Sequence, residues 1–252
     1  MTSDAALGRA LAMVRDLRNR CPWDGAQTPR TLRPYLVEEV LELDHAIASD
    51  DTDALPAELG DVLLHLAFQI VIAEEQGRFD AETVTRSLED KMRRRHPHLF
   101  GLGEKPGSWE HGKREAGARW PGVLTGLPPT LPPLLTAFRL QERAAGVGFD
   151  WPDAAGPLKK VREETEELAK EVEAGGKPAI QAEVGDLLFA VVNLARKLGV
   201  HPSQALEQAN AKFTRRFEGV ERLAEQRGLE LGRAGLEALD RLWDEVKRTA
   251  EP

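Results

Sequence analysis

Four acidic residues recur in the same register in the two halves of the chain, and that recurrence limits the possible folds more than any other feature. Glu38-Glu39-Val40-Leu41-Glu42-Leu43 leads to Glu58-Leu59-Gly60-Asp61, and Glu163-Glu164-Thr165-Glu166-Glu167-Leu168 leads to Glu183-Val184-Gly185-Asp186. The steps from Glu39 to Glu42, Glu58 and Asp61 are 3, 16 and 3 residues, and those from Glu164 to Glu167, Glu183 and Asp186 are the same. An offset of 125 residues (164 minus 39) in a chain of 252 implies two domains of ordinary size. Residues three or four apart share a helix face, so each copy places pairs of carboxylates side by side.

The surrounding composition supports helices. Charged residues make up 30% of the chain and aromatics 6%, with few β-branched runs, so the expected class is all-α. The formal net charge is -8, which disfavours direct nucleic-acid binding through overall charge; an anionic substrate needs a local cationic device. The lone cysteine, Cys21, excludes an intrachain disulfide, and with no secretory signal pattern the expected compartment is a reducing cytoplasm. No apolar run is expected to reach membrane-spanning length.

Helical periodicity and breakers divide the chain. Helices are predicted over about 4–19, 31–49, 54–76 and 81–95, with a loop from Cys21 through Thr28, Asp53 and Asp80 as N-caps, and Gly77 closing the third. Pro34 is placed in the first turn of its helix, where proline is tolerated. The stripe Leu59, Val62, Leu63, Leu66 and Ile70 is expected to pack on another helix. Trp120 to Pro133 holds seven prolines and glycines and reads as a stiff linker. We therefore divide the chain into 1–118, a linker at 119–133, and 134–252. Helices then follow over about 134–145, 157–174, 178–198, 202–226 and 236–248. The loop Val147-Gly148-Phe149-Asp150 stands where Cys21-Pro22-Trp23-Asp24 stood, and Trp243 with Lys247 is echoed by Trp109 with Lys113.

Like charges at helical spacing cost roughly 0.2–0.5 kcal/mol per pair, and something must offset that in both copies. A solvated acidic face is the ordinary explanation for one such group. Identical recurrence beside apolar residues favours a metal site made from Glu39, Glu42, Glu58 and Asp61, and a second from Glu164, Glu167, Glu183 and Asp186. An all-oxygen donor set suits Mg²⁺, with Mn²⁺ as a substitute, rather than Zn²⁺. A di-iron bundle requires Glu-x-x-His on two helices; Glu42 and His45 provide it once, and Lys170 stands at the equivalent step from Glu167. Cations follow each acid set: Lys91, Arg94 and Arg95 align with Lys212, Arg215 and Arg216, as an Mg²⁺-bound polyphosphate needs.

These features together resemble the MazG family of nucleoside triphosphate pyrophosphohydrolases, in tandem. The resemblance rests on Cys21-Pro22-Trp23-Asp24, both acid sets, Arg95-His96-Pro97-His98, and Asn210-Ala211-Lys212-Phe213 with Arg215-Arg216-Phe217. It implies Mg²⁺-dependent hydrolysis of nucleoside triphosphates to monophosphate and pyrophosphate, by water attack at the α-phosphorus, in homodimers whose paired domains complete helical bundles. It further implies that Glu164, Glu167, Glu183 and Asp186 hold metal and that one of them or Glu163 activates water. Lys212 with Arg215 or Arg216 is then expected to hold phosphate oxygens.

The copies differ downstream. Asn193 lies seven residues after Asp186, whereas Phe68 stands at that step from Asp61; Asn210 aligns with Glu89. Asparagine offers a donor and an acceptor to a sugar or base edge, and phenylalanine offers neither. The second repeat is therefore expected to carry the main activity, with Asn193, Asn210, Trp243 and Lys247 as further substrate contacts. Two other readings compete: hydrolysis that releases phosphate and diphosphate, and a non-catalytic helical metal- or nucleotide-binding regulatory protein.

Overall fold

The computed structural model describes residues 3–101 and 122–249. The chain divides into two compact units, Met1–Pro106 and Gly107–Pro252. Among the described residues there are ten α-helices and no strand, in agreement with the all-α expectation. The predicted 118/119 boundary, the Trp109 and Lys113 pair and the start of the linker lie outside the described residues.

The first unit contains α1 (Ser3–Arg20), the single turn α2 (Pro22–Gly25), α3 (Pro29–Ala48), α4 (Leu55–Glu75), α5 (Ala81–Arg95) and a 3₁₀ turn, Pro97–Leu99. α3 and α4 form an antiparallel hairpin, and α1 packs along α4. Val14 of α1, Leu32 of α3 and Ala67, Phe68, Val71 and Ile72 of α4 make one buried cluster. Burying such side chains contributes roughly 1.5–3 kcal/mol each for the larger ones.

Several local expectations are corrected. The segment after Cys21 is not all loop, because Pro22 opens a helical turn. α3 begins at Pro29 with Thr28 and Thr31 capping each other reciprocally, so Pro34 lies inside the helix and not in its first turn. Asp53 does not cap α4: Ala54 stands at the N-cap position with no side-chain cap bond, and in the turn before it Asp51 Oδ1 accepts from the backbone N–H groups of Asp53 and Ala54 at 3.2 and 3.0 Å. Asp80 does cap α5, accepting from Thr83 N at 2.8 Å. The stripe assigned to α4 is also displaced: Leu59 is 51% and Leu66 49% exposed, while the helix buries Ala67, Phe68, Val71 and Ile72 against α1 and α3.

The second unit contains α6 (Pro133–Ala145), α7 (Ala155–Ala174), α8 (Lys177–Lys197), α9 (Pro202–Gln226) and α10 (Leu236–Thr249). Gly175, at φ 80°, closes α7 in the left-handed conformation that glycine adopts without penalty, and α8 folds back to form the second hairpin. α6 packs on α8, where buried Gln141 donates from Nε2 to Phe189 O at 2.8 Å. α9 and α10 enclose Val220, Ala224, Leu242 and Val246. Their close approach requires Gly219, where an added Cβ would meet Val246 Cγ1 at 2.9 Å.

α4 and α8, each 21 residues, are long and apolar enough to cross a membrane by length and composition. That corrects the expectation that no run reaches such a length. In this structure each packs on its hairpin partner and carries two of the repeated acids, Glu58 and Asp61 or Glu183 and Asp186.

Candidate metal and nucleotide site

Each hairpin turns the sequence spacing into facing layers. Glu39 and Glu42 lie on one face of α3, and Glu58 and Asp61 on the facing side of α4; the antiparallel direction sets Glu42 beside Glu58. Carboxylate oxygens of Glu39, Glu42 and Glu58 all lie within 4.8 Å of one another. The second hairpin does the same with Glu164, Glu167 and Glu183. Asp61 and Asp186 stand at the margin of their clusters, near enough to repel Glu39 and Glu183 respectively.

Burial pushes the Glu39 carboxyl above the usual carboxylate range, and repulsion from Asp61, Glu42, Glu38 and Glu58 adds to the rise. Glu183 is raised likewise, by burial and then by Glu167, Asp186, Glu164 and Glu171. Glu58 Oε2 is buried with no hydrogen-bond partner. Crowded, ionisable oxygens of this kind fit a divalent cation, which would offset the repulsion and supply the missing partner. Both predicted metal sets are thus brought together, three acids closely and the aspartate beside them.

The residue that accompanies the central glutamate differs between repeats, and the motif reading missed both partners. In the second hairpin Lys160 Nζ lies 2.6 Å from Glu164 Oε1 and 2.9 Å from Glu163 Oε1. Those bonds raise the Lys160 pKa and hold Glu163 ionised, below the usual carboxylate range. Glu164 itself is 5% exposed. In the first hairpin buried His65 has Nε2 3.8 Å from Glu39 Oε1. Burial lowers the His65 pKa against an opposing pull from Asp61. The available signals were helical: Lys160 precedes Glu164 by four residues, and His65 follows Asp61 by four.

The cations reach solvent on α9. Lys212 and Arg215 are exposed and Arg216 is half-buried, and none makes a hydrogen bond or ion pair among the described residues. Asn210 is also exposed. Asn193 is engaged: its Oδ1 accepts from Arg196 Nη2 at 2.8 Å and Nε at 3.1 Å. Arg196 and Lys197 in turn bind Asp150, at 2.5 and 3.1 Å, tying the loop before α7 to the end of α8. Trp243 packs in the α9–α10 cluster, its ring 5.3 Å from that of Phe213. Lys247 is exposed beside Asp244, at 3.6 Å.

The sequence matches the family described as the MazG nucleotide pyrophosphohydrolase domain over residues 27–100 and 156–220. These segments contain both acid sets and both basic groups, and exclude Trp243 and Lys247. The chain is 42% identical over 245 residues to the nucleoside triphosphate pyrophosphohydrolase of Escherichia coli K12, covering 93% of each protein. It is 44% identical over 232 residues to the nucleoside triphosphate pyrophosphohydrolase/pyrophosphatase MazG of Thermotoga maritima, covering 90% of this chain and 89% of that one. A nucleoside triphosphate pyrophosphohydrolase of Mycobacterium tuberculosis is 35% identical over 147 residues, 56% of this chain and 45% of that protein. The chain belongs to the MazG nucleotide pyrophosphohydrolase family, a family of hydrolases, and carries its domain in two segments.

Proposed function

We propose that the protein hydrolyses nucleoside triphosphates to the monophosphate and pyrophosphate with Mg²⁺, Mn²⁺ substituting, and that the second repeat carries the main activity. The observation that carries this reading is the joint presence in one unit of the Glu164, Glu167 and Glu183 cluster and the unengaged cations Lys212 and Arg215 on α9. The names of the Escherichia coli and Thermotoga maritima relatives support the same reaction.

In this reading Glu164, Glu167, Glu183 and Asp186 hold the metal. Bound divalent cations supply a water of lowered pKa and neutralise charge on the departing pyrophosphate. Glu163, kept ionised by Lys160, or one of the ligating carboxylates accepts the water's proton. Lys212 with Arg215 or Arg216 holds phosphate oxygens by charge-assisted hydrogen bonds. Asn210 and the amide nitrogen of Asn193 are left to meet the sugar or base, with Trp243 and Lys247 at the margin.

A homodimer is part of the proposal. α8 exposes Val184, Leu188 and Val191 at 40, 53 and 45%, an apolar face that a second copy would cover to complete a bundle.

The test is product analysis. Incubation with each NTP and dNTP plus Mg²⁺ should release monophosphate and pyrophosphate. Release of diphosphate and phosphate would overturn the assignment.

A further inference from the structure

A polar chain runs from Asn193 to the loop that precedes α7. Asn193 Oδ1 accepts from Arg196 Nη2 at 2.8 Å and from Arg196 Nε at 3.1 Å. The same guanidinium donates to both carboxylate oxygens of Asp150, and Lys197 Nζ adds a bond to Asp150 Oδ2 at 3.1 Å. Trp151 N donates to Asp150 Oδ1 at 2.9 Å, so the carboxylate is held from its own loop as well as from α8. The Arg196, Lys197 and Asp150 side chains are all largely shielded from water, which strengthens these bonds.

Arginine fixes which way the Asn193 amide points. A guanidinium donates and cannot accept, so the atom facing it is the amide oxygen. The amide nitrogen is thereby turned away from Arg196, and it makes no hydrogen bond among the described residues. Asn193 is half-buried and shares a face of α8 with Asp186, because seven residues make nearly two whole turns. It lies about 10 Å beyond Asp186 along the helix, at roughly 1.5 Å per residue. A nucleotide whose α-phosphate rests on the acid cluster has its sugar and base within that reach.

The first hairpin has no such chain: Phe68, Val71 and Ile72 stand where Asn193, Arg196 and Lys197 stand, and all three are core residues. Holding Asp150 to α8 needs only Arg196 and Lys197. An asparagine with its oxygen engaged and its nitrogen left over adds nothing to that tie. We infer that Asp150 and Arg196 are positioning residues that lock Asn193 as a hydrogen-bond donor, so that Asn193 reads an acceptor oxygen on the nucleoside, a base carbonyl or a sugar hydroxyl. A free asparagine can turn its oxygen to a donor on the ligand; a locked one meets such a ligand donor to donor, and binding weakens.

The inference rests on the reading of the second repeat as a nucleotide site, and binding measurements separate the two. Full-length protein with Mg²⁺ is titrated calorimetrically with the α,β-methylene analogues of UTP, CTP and dUTP, and with inorganic tripolyphosphate, which has no nucleoside. Asn193→Ala should weaken the UTP analogue by about tenfold, the scale of one hydrogen bond, and leave tripolyphosphate within about twofold. Asn193→Asp, which sets a carboxylate oxygen where the donor stood, should weaken the UTP analogue further. Asp150→Asn should weaken it too, and should add little in combination with Asn193→Ala, again with tripolyphosphate unchanged; a general loss of structure would weaken both ligands. A loss shared by UTP and dUTP but not CTP assigns the acceptor to the base carbonyl that CTP lacks, and a loss shared by UTP and CTP but not dUTP assigns it to the missing hydroxyl. UTP binding untouched by Asn193→Ala, weakened in step with tripolyphosphate, or better in Asn193→Asp than in Asn193→Ala would overturn the inference and leave the nucleotide site standing. Absence of binding by every analogue and by tripolyphosphate would overturn both.

Discussion

Seven residues beyond the last acid of each repeat the two hairpins diverge. Phe68 is 3% exposed and sits in the core of the first unit, whereas Asn193 is half-buried and held by Arg196. The same helical position is spent on packing in one unit and on a polar network in the other. The residues beside the central glutamates differ too: His65, stacked on Tyr35, stands next to Glu39 in the first hairpin, and Lys160 brings charge to Glu164 in the second. Acid spacing therefore specifies where metal can sit, and the residues around it specify what else can happen there.

The largest expected effect breaks the comparison at its packing side. Phe68→Ala should destabilise the first unit by about 3–5 kcal/mol, as loss of a buried aromatic does, and Asn193→Ala should cost the second unit under about 1.5 kcal/mol. Chemical denaturation followed for each unit checks this; similar losses would remove the distinction. Lys212→Ala should lower kcat/KM about ten- to a hundredfold, the size of a lost charge-assisted hydrogen bond, and Lys91→Ala should leave it within about twofold. Steady-state kinetics decides.

Asp150 sharpens the comparison of the two loops. Burial opposes its ionisation, but hydrogen bonds from Arg196 and Lys197 outweigh that and hold its carboxyl below the usual range. A depressed folded-state pKa contributes stability above the unfolded value, and that stability is lost as pH falls through the folded one. Asp150→Asn should therefore cost about 2 kcal/mol at neutral pH and less in acid. Asp24→Asn should cost far less, because Arg18 donates to the backbone oxygen of Asp24, at 2.8 Å, rather than to its carboxylate. Melting curves across pH 3 to 7 test both. Smallest of all, Trp23→Ala, at a residue 58% exposed, should shift stability by less than about 0.5 kcal/mol.

Much of this was legible in the sequence, because helices declare themselves by periodicity and punctuation. Asp80 and Gly77 mark ends that the structure keeps. The acids were legible because identical spacing in two copies cannot follow from surface solvation alone. What escaped depended on partners far along the chain. Leu59 and Leu66 have the right period for a core face, but α1 and α3 cover a different side of α4. Asp53 is not a cap because the chain makes a further turn before α4, held by Asp51, and the helix starts after Ala54. Lys160 and His65 lie at ordinary helical spacings that only the facing helix turns into contacts with Glu164 and Glu39.

The central proposal is that the second acid set carries the main hydrolytic activity, and paired substitution tests it most directly. Pyrophosphate release should be measured for Glu183→Ala and Glu58→Ala under the same Mg²⁺ and triphosphate concentrations. Glu183→Ala should abolish release, a drop of about a hundredfold or more on the scale of lost transition-state charge stabilisation, and Glu58→Ala should leave most of it. Release that survives Glu183→Ala and vanishes with Glu58→Ala would contradict the account.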